Sequence, residues 1–277
     1  MGKELSFFLF WIFISHFQNT YATGWIQEEG LDEIYIKKLK KYNLSDREIL
    51  EKARNRKRYD NWAKKKILHI NDDFVGQLET LNLNKKFEGR IKKIYALCIQ
   101  SYQNQEDQSF MRKIEIGEPI PKYRQAPHFH PLEQKPTLNY STDLKDPNYR
   151  SISNRNKAFY LILAYAQKTS DNLSLDDYNK ACLAKCIADE ALQYIPPSQN
   201  PLLALRAFTR SFARSPAANL SHPYGVCTNY ATLTASVAQA LGFGEKVQIH
   251  REGKHFFNQF YIKNTWYHFH PLRKYGK

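Results

Sequence analysis

Cys227 and His255 are the two residues of this sequence whose types could together break an amide bond. Cys227 stands two positions after Gly225 and just ahead of a stretch in which Leu233, Val237 and Leu241 recur every four residues, so the spacing predicts a helix that begins beside the thiol. A helix N-terminus offers unpaired amides and the positive end of the dipole, which favour thiolate over thiol and can bind a developing oxyanion. His255 follows 28 positions later and opens a strand-like run. A histidine there could take the thiol proton and later return it to a leaving amine, provided the fold brings the two together. Taken singly, each has a plainer role: a lone cysteine packs as a small core residue, and a strand histidine is structural.

The elements that must hold these residues are legible from punctuation and periodicity. Gly242 stands where the Cys227 helix would stop. Three strand-like runs follow, Lys246 to Arg251, His255 to Ile262 and Trp266 to His270, joined by the turn residues Glu252-Gly253 and Lys263-Asn264. Upstream, Ala158 to Ala166 reads as a buried helix. Ser174 with Asp177 opens a second helix running to about Tyr194, where Pro196-Pro197 ends it. Asn200-Pro201 caps a third through Phe212. Pro216 and Pro223 interrupt the approach to Cys227.

The ordered set Gly225-Val226-Cys227-Thr228-Asn229-Tyr230-Ala231 with Leu233, then Ala240-Leu241-Gly242-Phe243, His255-Phe256-Phe257-Asn258-Gln259 and Trp266-Tyr267-His268-Phe269-His270-Pro271 resembles the core of the transglutaminase-like superfamily. The resemblance covers the last 50 to 60 residues closely and the chain from about Asn148 loosely. It implies an α+β fold with a papain-like, transglutaminase-like core, a helix bearing the cysteine packed on an antiparallel sheet. It also implies Cys227 as nucleophile and His255 as base. The family has an aspartate where this sequence has His270, and a neutral imidazole can orient the base without stabilising its cationic form. Three readings stay open there: His270 acts as a weaker orienting group, Asn258 serves instead, or the site is inactive. Gln259, His222 and Tyr224 are candidate oxyanion or substrate contacts.

The function implied is a cysteine-dependent amide hydrolase, a peptidase or deamidase acting on a protein or peptide through an acyl-enzyme. Acyl transfer to an amine and an inactive binding module of the same fold are the alternatives. No metal or organic cofactor is needed. The repeated pentapeptide His128-Phe129-His130-Pro131-Leu132 and His268-Phe269-His270-Pro271-Leu272 could set two histidine pairs for zinc, but no acidic or cysteine ligand accompanies either pair, so a metal site is not expected.

Composition sets the outer bounds. At 277 residues, 42% hydrophobic and 25% charged, the chain can bury a sizeable core, which excludes pervasive disorder, collagen and coiled coil. Lys and Arg number 41 against 27 Asp and Glu, a formal +14. The stretch Lys37 to Lys66 alone holds 13 basic and 4 acidic residues. A helix over Asn43 to His69, opened by the capping box Ser45-Asp46-Arg47-Glu48, would carry that run on its polar face toward an anionic surface partner. Nucleic acid is the lesser expectation, since no zinc-finger spacing appears and an exported protein rarely meets it. A second helix is expected from Phe87 to Gln100.

The N-terminus has a short charged start, the apolar run Leu5 to Ile14 and small residues at Thr20 and Ala22, a signal-peptide pattern with a cut after Ala22 and a secreted or periplasmic destination. The organisation expected is a signal peptide over 1–22, a basic helical region over 23–118, a proline-rich connection over 119–147 and the transglutaminase-like domain over 148–277. Export permits disulfides. With one working thiol, at most one bridge can form among Cys98, Cys182 and Cys186; the last two, four apart on a helix, are badly placed to join each other, which leaves Cys98 with either.

Overall fold

The computed structural model describes residues 29–41, 44–104, 150, 152–195, 197–198, 200–213, 216–253 and 255–269. The segment 1–22, the connection 119–147 with its His128 and His130, and His270 lie outside the described residues. The described chain mixes helices with a small antiparallel sheet, an α+β composition. Among the described residues no helix is long and apolar enough to cross a membrane.

Two compact units meet in sequence between Lys65 and Lys66. In the first, helix α1 (Glu33–Leu39) and the long helix α2 (Asp46–Ile67) bury Leu31, Ile36, Leu39, Ile49 and Ala53 against one another. The expected capping box is present: the Ser45 amide donates to Glu48 Oε2 at 2.8 Å, and the Glu48 amide donates back to Ser45 Oγ at 3.4 Å. That reciprocal pair fixes the start of α2 at Asp46.

The second unit holds everything from α3 onward. Helix α3 (Asp72–Glu79) is capped by Asn71, and α4 (Lys85–Ile94) by Asn84, whose side chain accepts from the Phe87 amide at 2.9 Å. This cap sets the helix start two residues before the expected Phe87. After α4 the backbone widens into a π-helical stretch, Tyr95–Gln100, and closes with an α-turn at Ser101–Gln103. At its end Ser101 Oγ donates to the Ala96 carbonyl, five residues back, at 2.9 Å. Phe74 stacks on Tyr95 at 3.7 Å, and both meet the edge of Tyr165 at 5.2 and 5.3 Å. Tyr165 belongs to α5 (Asn154–Asn172), the buried helix expected around Ala158 to Ala166. The division of the chain therefore differs from the expected N-terminal region 23–118: the apolar faces of α3 and α4 are satisfied within the C-terminal unit, so residues 72–103 belong to it.

Helix α6 (Asp177–Ala191) is shorter at both ends than the sequence implied. Asp176, whose carboxylate accepts from the Asn179 amide at 2.8 Å, is the cap instead of Ser174, which sits in the left-handed region at φ +47°. At the other end Gln193 and Tyr194 leave the helix as a short strand, β1 (Gln193–Tyr194), because they pair in parallel with β2 (Tyr224–Gly225). A disulfide links Cys98 in the π-helical stretch to Cys186 on α6, with Cα atoms 5.7 Å apart. Of the two partners left open for Cys98, the fold selects Cys186 and leaves Cys182 a buried thiol.

Helices α7 (Pro201–Ala213) and α8 (Pro216–Ser221) lead to β2 and then to α9 (Cys227–Ala240). The Asn200 cap on α7 is as expected, with its side chain accepting from the Leu203 amide at 3.0 Å. Helix α9 ends at Gly242, whose φ of +92° suits a residue without Cβ. The sheet runs in the order β3 (Val247–Glu252), β4 (His255–Ile262), β5 (Thr265–Phe269), antiparallel throughout. Lys263 and Asn264, both at positive φ, close the β4–β5 hairpin as a two-residue turn of the type that follows strand twist.

Candidate functional site

Cys227 is the first residue of α9, not the residue before it, and it is half-buried. Three features of the local sequence hold it there. Gly225 passes so close to Leu192 and Asn229 that a Cβ would come within 3.1 Å of each, which explains the glycine two positions before the thiol. Its carbonyl accepts from the Ile195 amide at 3.0 Å, extending the β1–β2 pairing. Val226, the N-cap, has no polar side chain, and Asn229 substitutes by accepting from the Val226 amide at 2.9 Å. Asn229 also donates to the Ala207 carbonyl at 2.8 Å and to Asn219 Oδ1 at 2.9 Å, so one buried amide ties the first turn of α9 to α7 and α8.

Tyr194 lies across from Gly225 in the β1–β2 register. Its hydroxyl is pushed above the ordinary tyrosine range, first by burial and then by its electrostatic interaction with Cys227. Tyr230, one turn into α9, donates to the Leu192 carbonyl at 2.6 Å and packs its ring 6.4 Å from that of Tyr194. No local pattern singles out Tyr194, because its place beside the Cys227 segment arises from a two-residue parallel bridge across about thirty intervening positions. Tyr224 is exposed on the same bridge opposite Gln193, and His222 is half-buried just before it.

Two observations place the sheet against α9. Asn258 on β4 donates to the Ala231 carbonyl at 2.9 Å, and Phe260 meets Phe243, just past the helix end, edge-on at 5.0 Å. Strand β4 therefore runs the same way as α9, and His255 at its start lies toward the Cys227 end. Side chains alternate along a strand, so His255, Phe257 and Gln259 share the face opposite to Asn258 and Phe260. His255 stacks on the buried Phe257 ring at 6.0 Å, and His250 and His268 flank the same ring at 4.9 Å each. The fold thus brings β4 to α9 and turns the His255 side chain to the Phe257 face.

Among the other candidates, Gln259 is buried on this second face with His268 as its cross-strand neighbour. Asn258, one of the open readings for the third position, has its amide committed to Ala231. Among the described residues no group of three His, Cys, Asp or Glu could hold a metal ion. Cys182, the other free thiol, is pushed up to about 12 by burial, which keeps it protonated and unreactive. Comparison of the chain with known protein families, with curated proteins and with solved structures gives no match.

Proposed function

We propose that this protein is an exported cysteine-dependent amide hydrolase built on a papain-like, transglutaminase-like core. The observation that carries the reading is Cys227 as the first residue of α9: it is half-open where Cys182 is buried, and it sits at the N-terminal amides of that helix. In this reading the Cys227 sulfur attacks the carbonyl carbon of a peptide or glutamine carboxamide and the first amides of α9 hold the oxyanion. The intermediate collapses to a thioester as the amine leaves with a proton from His255. Water, deprotonated by the same histidine, then cleaves the thioester and restores the thiol. The reading requires the His255 side chain to reach the thiol from the Phe257 face, with His270 orienting it. The disulfide between Cys98 and Cys186 supports export, since such bonds persist in oxidising compartments.

The orientation of His255 favours a second reading, a binding module that keeps the fold without turnover. Mass spectrometry of products from a peptide library, with and without added amine, separates the two. Cleaved or deamidated peptides that disappear with Cys227→Ala and decline at least a hundredfold with His255→Ala support the hydrolase. Products joined to the amine would mark acyl transfer. Identical profiles for wild type and Cys227→Ala, with iodoacetamide labelling Cys227 no faster than a denatured thiol, would leave the binding module.

A further inference from the structure

Six of the nine cations of helix α2 divide into a set bound to the N-terminal segment or to its own helix and a set that is not. Arg54 pairs with Glu29, Lys57 donates to the Glu29 carbonyl, and Arg56 lies 3.6 Å from both Asp32 and Asp60 and 4.4 Å over the Tyr35 ring. These contacts consume the nearby acids in binding the N-terminal segment to the helix. Arg47, Arg58 and Lys65 are exposed and without an acidic partner among the described residues. Their spacings of 11 and 7 are close to whole helical turns, so they form one row about 27 Å long, opposite the buried Ile49, Ala53 and Ala63; Arg54, seven after Arg47, stands on the same row with its charge taken by Glu29. Glu51 is the single acid on that row. Along its flank run the half-buried Lys52, Tyr59 and Trp62, the two rings 5.8 Å apart.

We infer that this face of α2 docks on an anionic phospholipid surface. Cations on one line of a straight helix reach a plane of headgroups at equal depth, and each gains from the negative surface potential. A tyrosine and a tryptophan, apolar in body and polar at one edge, suit the headgroup level beside them, as they do in the aromatic belts of membrane proteins. This inference is independent of the thiol chemistry.

The test is cosedimentation of the full chain with phosphatidylcholine vesicles carrying about one third phosphatidylserine, against phosphatidylcholine alone, with soluble polyphosphate as competitor. The wild type is expected to bind the anionic vesicles preferentially and to release as ionic strength approaches about 1 M. Because each surface cation contributes about fivefold, the R47Q/R58Q/K65Q variant should bind on the order of 100-fold more weakly, while the charge-preserving R47K/R58K/K65R variant should retain binding. Unchanged binding by the glutamine variant, equal wild-type binding to neutral vesicles, or displacement by polyphosphate at equal phosphate concentration would overturn the assignment.

Discussion

Asn229 shows how a single side chain can position a neighbouring thiol. Its amide makes three buried hydrogen bonds, with the Val226 amide, the Ala207 carbonyl and Asn219 Oδ1, and truncation would remove all three. Asn229→Ala is accordingly expected to destabilise the protein by about 3–5 kcal/mol, read as a lower denaturation midpoint, and to loosen the first turn of α9 before the rest of it. Asn229→Asp keeps the acceptor for Val226 and loses both donors, so its effect on stability should be comparable while its effect on the first turn is smaller. A stability unchanged by either substitution would show that the three bonds do not hold α9. Tyr194 illustrates the reverse relation: the β1–β2 bridge sets it opposite Gly225, two residues before Cys227, yet nothing in its own sequence context announces that place.

At the scale of elements, α3 offers a contact whose pH dependence follows from its geometry. Asp73 in its first turn accepts from the Tyr165 hydroxyl of α5 and from Gln77, and the Tyr165 bond above all holds its carboxyl below the usual 3.8. A carboxyl whose folded pKa is depressed contributes stability above its unfolded pKa, and that contribution is lost as pH falls through the folded value. Tyr165→Phe should therefore be less stable than wild type at neutral pH, and the gap should narrow below about pH 4 in urea titrations. Asp73 is exposed, so the difference is expected to be small. A gap independent of pH would assign the Tyr165 contribution to ring packing on Phe74 and Tyr95 alone.

At the scale of the molecule, the Cys98–Cys186 bridge closes a loop of 88 residues and joins the π-helical stretch after α4 to α6. A link of that span constrains the unfolded chain strongly, and its removal is expected to cost about 2–5 kcal/mol. Hydrogen exchange with and without reductant should show α4 and α6 losing protection while α1 keeps its own. Equal protection in both states would mean that side-chain packing, including the Lys93–Glu190 pair at 3.0 Å between α4 and α6, suffices to hold the two helices together. The charge excess has a comparable division of labour: Arg54, Arg56 and Lys57 of α2 bind the chain to itself, while Arg47, Arg58 and Lys65 stand exposed.

Local chemistry was readable from the residues alone wherever a short-range bond decides the outcome. Ser45 with Glu48, Asn200 before Pro201, Gly242 after the last turn of α9 and Lys263-Asn264 between strands all act within four residues, so composition and spacing determined those boundaries. The three strands were legible for the same reason. What lay beyond sequence were relations set by packing at long range. Tertiary contacts chose Cys186 over Cys182 for Cys98, drew Gln193 and Tyr194 out of α6 into a bridge with β2, and moved the helices of 72–103 into the C-terminal unit. They also decided which way the strand histidine faces. Sequence alone put Cys227 at the helix start and His255 at a strand start, but the register of β4 on α9, fixed by Asn258 on Ala231, decides which face each carries. That register depends on side-chain fit between segments that no local pattern connects.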